Sequence, residues 1–133
     1  MTDYEKIKAV LKALPYEKLI DVHNEVFEVL GIKEQGYIYK ADDETIDIVF
    51  KDWKPSEVIR YLDDDWFNAK YFAYDDTYGW EPFNNAKEAV EECVDIDNLA
   101  VPIRTRYIRC GVPEIDKIIT NITNKLAKVE AEK

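Results

Sequence analysis

The side chains of this sequence that could do chemistry are mostly carboxylates and aromatic rings. The aromatic residues are concentrated between Trp66 and Phe83. One acidic cluster, Asp63 to Asp65, directly precedes this segment, and a second, Asp75 with Asp76, lies within it. Carboxylates beside partly exposed rings offer charge and anchoring groups to a basic surface of another protein. We therefore predict a partner-binding surface made of these residues: Asp63, Asp64, Asp65, Asp75, Asp76, Trp66, Tyr78 and Trp80.

A second interpretation of these residues stays open. Acidic surfaces often serve only solubility, and aromatic residues in strands usually pack a core. Residues 42–97, however, hold seventeen acidic and five basic side chains, net -12, whereas residues 98–133 have a net charge of +3. Like charges at that density destabilise the compact state by repulsion, which favours a role for them in binding.

The sequence contains few of the residues that nucleophilic catalysis requires. The chain has one serine, Ser56, and one histidine, His23. Ser56 follows Pro55 at a predicted helix start, where a hydroxyl serves as a cap, and His23 is interpreted as a half-buried packing residue or a surface one. No local motif supports a pair of His23 with either cysteine. We predict no catalytic residues and no enzyme; a small carboxylate-dependent enzyme is the least favoured alternative.

The sequence also contains no motif typical of a metal or cofactor site. Zinc would need clustered cysteine and histidine, and residues 75–79 do not match the ligand spacing of a calcium-binding EF-hand loop. No glycine-rich phosphate-binding pattern is present. We expect neither a cofactor nor a dedicated metal site.

The charge and the termini suggest the compartment and the class of partner. A formal charge of -10 excludes the broad cationic surface that direct nucleic-acid binding requires. The start of the sequence resembles no signal peptide, and no apolar run is long enough for a membrane span. We therefore expect a cytoplasmic protein without a membrane partner, in which Cys93 and Cys110 stay thiols.

Two helices are predicted at the start of the chain. Thr2 and Glu5 form a capping-box pattern that predicts a helix from Asp3 to Ala13. Pro15 opens a second helix that ends before Gly31, with an apolar stripe made of Leu19, Val22, Val26, Phe27, Val29 and Leu30. The two helices are expected to pair as an antiparallel hairpin.

The middle of the chain favours strands. Tyr37 to Tyr39 is a short β-prone run, residues 42–50 fit a helix or a strand, and residues 54–62 fit a short helix. Residues 70–74 and 80–83 predict a β-hairpin around a turn that contains Gly79, and Pro82 makes its second arm an edge strand.

Helices return at the end of the chain. Asn84 or Asn85 caps a helix that runs through Glu92, and Asp95 or Asp97 caps another that begins near Asn98. Pro113 opens a long helix with one apolar face, made of Ile115, Ile118, Ile119, Ile122, Leu126 and Val129. The prediction is a single α+β domain over residues 1–133, with helices at both ends around a small antiparallel sheet and a frayed terminus.

The last helix supports a different class of function. Its isoleucine-rich seam, flanked by Lys117, Lys125 and Lys128, suits a structural or assembly protein that associates with its own copies. A monomer would bury the same seam in its own core, so this alternative stays open.

The central sequence also resembles a known group of proteins. The resemblance lies in residues 54–60, Asp65-Trp66-Phe67-Asn68, residues 71–74 with Tyr78-Gly79, and residues 94–100. In this order these segments are similar to small acidic uncharacterised proteins of bacteriophages and mobile elements of gut bacteria. The resemblance implies a protein that acts in the host cytoplasm, where such proteins inhibit nucleic-acid-binding host proteins, sometimes by imitating the charge of DNA.

Overall fold

The computed structural model describes residues 1–33, 36–42, 48–52, 54, 68–75, 77 and 79–131. Within them the elements are α1 (Asp3–Ala13), α2 (Tyr16–Leu30), β1 (Ile38–Lys40), β2 (Tyr71–Asp75), β3 (Gly79–Phe83), α3 (Ala86–Cys93), α4 (Ile96–Thr105) and α5 (Pro113–Ala131). Helices at both ends and a small antiparallel sheet confirm the predicted α+β class. The helix expected over residues 54–62 lies outside the described residues except for Lys54, and of the undecided segment residues 48–50 are helical.

The chain divides into two compact units, and its charge divides with them. The first unit holds residues 1–31 and 95–133, and the second holds residues 32–94. The second unit has sixteen acidic and seven basic side chains, net -9, whereas the first has twelve and eleven, net -1. The acidic excess therefore belongs to the unit that contains the sheet. That residues 1–133 form a single domain stays a prediction.

Helix α1 begins and ends where its sequence predicts. Thr2 Oγ1 accepts a hydrogen bond from the backbone N–H of Glu5 at 3.2 Å, as a capping residue should. Ile7 and Leu11, one turn apart, are completely buried. Helix α1 packs chiefly against α4 and α5, and not against α2, with which it was expected to form a hairpin.

Helix α2 is stopped by Gly31, whose left-handed backbone (φ 71°) ends the helix as expected. Its buried residues are Leu19, Ile20, Val22, His23 and Val26. The predicted stripe was wrong at Val29, which is 54% exposed.

Helix α4 begins at a side-chain cap and ends on a strained residue. Asp95 Oδ1 accepts the N–H groups of Asp97 and Asn98 at 3.0 and 3.3 Å, which selects Asp95 from the two predicted caps. At the other end Tyr107 has φ 54°, and no other non-glycine residue in the described part of the chain has a positive φ. A left-handed backbone costs an L-residue about 1–2 kcal/mol.

Helix α5 buries only the first half of its predicted apolar face. Ile115 and Ile119 are completely buried, but Leu126 is 41% and Val129 is 54% exposed. The end of this face is therefore not buried within the fold, and the alternative of self-association through α5 stays open.

The sheet of the second unit has the strand order β1-β2-β3, and both pairs are antiparallel. This confirms the predicted hairpin of β2 and β3. Pro82 lies in β3, which is an edge of the sheet as its missing N–H requires. Gly79 opens β3 with φ 78°, a conformation that glycine adopts without strain.

Both faces of this sheet are covered. Ile38, Ala73 and Phe83 are buried on the face that packs against α3. Phe72, on the opposite face, forms a buried cluster with Val49 and Ala69. Phe72 and Phe83 are therefore core residues, as the structural interpretation of the aromatic segment expects.

Helix α3 is fixed by a reciprocal cap. Asn85 Oδ1 accepts the N–H of Glu88 at 2.9 Å, and Glu88 Oε2 accepts the N–H of Asn84 at 3.0 Å. The two contacts satisfy backbone donors at the free end of the helix and select Asn85 as its N-cap.

An ion pair joins α1 to α4 in the first unit and yields a testable prediction. Lys8 Nζ lies 2.6 Å from Asp97 Oδ1 and also lies over the Tyr4 ring, 5.2 Å from its centroid. The hydrogen bond from Lys8 lowers the pKa of Asp97, and the same bond raises the pKa of Lys8.

We expect Asp97→Asn to lower the urea midpoint of unfolding at neutral pH. The difference from the wild type should vanish as the pH falls below 3.8, the ordinary value, through the lowered pKa of Asp97. It should also shrink as the pH rises above 10.5 through the raised pKa of Lys8. Asp21→Asn, at an exposed site on α2, is the control. An Asp97→Asn effect that is equal at all pH values would contradict the prediction.

Candidate binding surface

Of the eight residues predicted to bind a partner, the structure describes the side chain of Trp80. Asp75 ends β2, where its backbone pairs with Gly79, but its side chain is not among those described. The other six lie outside the described residues: Asp63, Asp64, Asp65, Trp66, Asp76 and Tyr78. That they gather beside Trp80 stays a prediction.

Trp80 belongs to a row of aromatic rings that crosses the sheet. Its centroid lies 5.5 Å from that of Tyr39 and 5.4 Å from that of Tyr74, and each pair makes an angle of 62° between the ring planes. Tyr37 extends the row, 4.7 Å from Tyr39. Tyr74 and Trp80 are directly opposite in the register, so strand alternation puts them on one face. We call Tyr37, Tyr39, Tyr74 and Trp80 the ring row.

The ring row is half-buried and already holds one cation. Trp80 packs partly against the cluster around Phe72, and the rest of its surface is accessible. The Lys33 ammonium lies 5.1 Å from the centroid of the Tyr37 ring. A cation at that distance is attracted by the negative face of the ring, so the row can accept positively charged groups.

A second group of carboxylates gathers beside α3. Glu81 on β3 and Glu92 on α3 both lie close enough to the Cys93 thiol to raise its pKa. The side chains of both glutamates are exposed, and we call Glu81 and Glu92 the acidic patch. Glu91, the residue before Glu92 on α3, makes a weak 4.0 Å ion pair with Lys87.

The sequence analysis did not single out the acidic patch. Glu92 falls on the helix that was predicted, and Glu81 falls on the predicted hairpin. The sequence does not show that α3 packs against β2 and β3. This packing is what allows Glu81, eleven positions before Glu92, to affect the same Cys93 thiol. The glutamates of α3 are visible in its sequence as a charged helix end. Nothing in the sequence indicates that Glu81 on β3 lies near that helix.

Both cysteines are free thiols, as expected. Burial raises the pKa of Cys93 to about 12, and Glu81 and Glu92 add to the effect because they oppose a second negative charge. Burial also raises the pKa of Cys110. Since the thiolate is the reactive form, both groups stay protonated and unreactive at neutral pH.

His23 is a core residue. It is 1% exposed, and its ring lies 4.0 Å from that of Phe27 between centroids. The expectation of a half-buried or surface histidine was wrong, because the stripe of α2 that faces the core includes this position. Ser56 lies outside the described residues. That the chain is not an enzyme stays a prediction.

The described residues contain no group of three or more histidine, cysteine, aspartate or glutamate side chains arranged to hold a metal ion. None of their helices is both long and apolar enough to cross a membrane.

Comparison with protein-family models, with curated proteins and with solved structures gives no significant match. The resemblance to small phage proteins stays a prediction.

The acidic patch can be tested through Cys93. In a Cys110→Ala background, Glu81→Gln should lower the pKa of Cys93 and so speed its alkylation by iodoacetamide severalfold at mildly alkaline pH, because one opposing charge is removed. Glu91→Gln is the matched control, since Glu91 is not among the groups that raise this pKa. Equal rates in both variants would show that Glu81 is not beside the thiol.

Proposed function

We propose that this chain is a non-enzymatic binding protein whose second unit engages a basic, nucleic-acid-binding surface of another protein and competes there with DNA or RNA. The resemblance to phage and mobile-element proteins suggests that the partner is a host protein and that the chain acts in the host cytoplasm as an inhibitor or nucleic-acid mimic. The proposal depends on charge, on its grouping and on anchoring rings.

One observation carries the proposal furthest. Glu81 lies on β3 and Glu92 on α3, and these two elements pack against each other. Both glutamates help to raise the pKa of the Cys93 thiol. Part of the acidic excess is therefore gathered at one place. The unit that contains them has a net charge of -9, so its field attracts basic surfaces and accelerates their association.

The ring row supplies what a purely acidic surface lacks. Tyrosine, tryptophan and arginine are the residues that most often dominate the energy of protein interfaces. An arginine or lysine of the partner can lie over a ring as Lys33 lies over Tyr37. Trp80, which is packed on one side and accessible on the other, is a rigid candidate for this contact.

The proposal predicts a salt-sensitive complex. The immobilised chain should retain basic nucleic-acid-binding proteins from bacterial lysate at low salt, and both high salt and added double-stranded DNA should release them. Changing the five aspartates of the two clusters to asparagine should remove this retention; they are Asp63, Asp64, Asp65, Asp75 and Asp76. Equal retention by that variant would contradict the role of these residues.

The acidic patch permits a finer test with a retained partner. Glu81→Gln with Glu92→Gln should weaken binding by about two- to thirtyfold, since each exposed ion pair contributes about 0.2–1 kcal/mol. Asp21→Asn with Glu25→Gln, which removes the same charge from exposed sites on α2, is the control. If the control weakens binding equally, net charge rather than a defined surface holds the partner.

A second candidate function, self-association through α5, is favoured by the exposure of Leu126 and Val129. These residues continue the face on which Ile115 and Ile119 are buried, and a second copy of the helix would cover them. The contact would be apolar, so added salt should not weaken it.

Light scattering tests this candidate. The wild type should be a dimer at high and low salt, and Leu126→Gln with Val129→Gln should be a monomer with unchanged helix content. Val101→Gln, at a 48% exposed site on α4, is the control. A monomeric wild type would eliminate the candidate.

A further inference from the structure

The ring row lies on a sheet face to which the described strands contribute only rings. Every strand position on this face is aromatic or proline: Tyr39 on β1, Phe72 and Tyr74 on β2, and Trp80 and Pro82 on β3. Strand alternation puts Lys40 and Glu81, the charged neighbours of Tyr39 and Trp80, on the opposite face.

Trp80 lies between a closed and an open part of this face. On the closed part Phe72 is 1% exposed and packs with Val49 and Ala69, and Trp80 packs against the same cluster. On the open part Tyr37, Tyr39, Tyr74 and Trp80 all remain partly accessible. Strand pairing and the cluster hold these rings in place before any ligand arrives, which lowers the entropy cost of binding one.

The angles between the rings favour a rounded ligand over a flat one. Tyr39 and Tyr74 are each inclined at 62° to Trp80, with centroids 5.5 and 5.4 Å away. Rings inclined in this way, unlike coplanar rings, can present two faces to one compact group. A sugar ring or a nucleobase stacks best on a flat platform, and a nucleic acid would also be repelled by a unit whose net charge is -9.

The charge of the ligand follows from two observations. The Lys33 ammonium already lies 5.1 Å from the centroid of the Tyr37 ring, within the range of a cation–π contact. The acidic excess of the second unit raises the local concentration of cations. A cation is therefore the charge class that this face suits.

The kind of cation follows from its N–H groups. A primary ammonium carries three N–H donors and a guanidinium five, and donors that lose water without gaining acceptors destabilise the complex. A lysine or arginine of a protein partner brings neighbouring groups that supply acceptors, but a free ion does not. A quaternary ammonium has no N–H donor, so aromatic walls alone can bind it.

We propose that the ring row is a binding site for a quaternary ammonium group, which contacts Trp80 and the neighbouring rings of Tyr39 and Tyr74. Choline, glycine betaine and the side chain of trimethyllysine share this group and differ in what is attached to it. The inference uses the same rings as the proposed function but does not rest on the basic partner or on the acidic patch.

A neutral analogue separates charge from shape. In isothermal titration calorimetry choline should bind the full chain at one site with a millimolar Kd. The analogue of choline in which a carbon atom replaces the nitrogen should bind at least about tenfold more weakly, and so should unmethylated lysine amide. The tightest binder among choline, glycine betaine and acetylated trimethyllysine amide identifies the source of the group.

Two ring substitutions test the site. Trp80→Leu keeps an apolar side chain against the cluster around Phe72 but removes the ring, and Tyr74→Leu does the same at a less buried contact. Each should weaken choline binding by about tenfold, whereas Tyr74→Phe, which keeps the ring, should bind like the wild type. Tyr16→Leu, at a 45% exposed site on α2, is the control. Circular dichroism checks that each variant is folded.

Three results would overturn the inference: equal binding of the neutral analogue, unchanged binding in folded Trp80→Leu and Tyr74→Leu, and no binding of any of the three quaternary ammonium ligands. Choline binding without retention of a basic protein would sustain this inference and contradict the proposed function. Retention of a basic protein without choline binding would do the reverse, so the two failures are distinguishable.

Discussion

Repulsion among carboxylates is the constraint on which the second unit depends. Sixteen acidic side chains must share residues 32–94 with seven basic ones, and this repulsion opposes a compact state. Burial on both faces of the sheet offsets it, through Phe83 under α3 and through Phe72 on the opposite face. The acidic side chains that the structure describes in this unit are all exposed: Asp42, Asp52, Glu81, Glu88, Glu91 and Glu92. Binding of a basic group there would relieve the repulsion.

The first unit is organised by a different balance. Its charges nearly cancel, and α1 is held to α4 by buried apolar residues and by the pair of Lys8 with Asp97. The charges of this unit are distributed unevenly along the sequence: residues 98–113 contain arginines but no acidic side chains. An average over the whole chain hides both the acidic second unit and this segment without acids.

The energy of a contact between the acidic patch and a basic partner is modest, since exposed ion pairs contribute little individually, and the ring row must supply the rest of the binding energy. Specificity then depends on how these rings are held rather than on how many charges are present.

Sequence alone determined the features that depend on neighbours three or four residues apart. Thr2, Asn85 and Asp95 cap their helices, and Pro82 lies at a sheet edge, because each satisfies or lacks a local backbone hydrogen bond. Tertiary structure decided the rest. It chose α4 as the partner of α1, left the end of α5 exposed and packed α3 against β2 and β3. Distant apolar faces compete for the same core, and no local pattern records which of them is buried there.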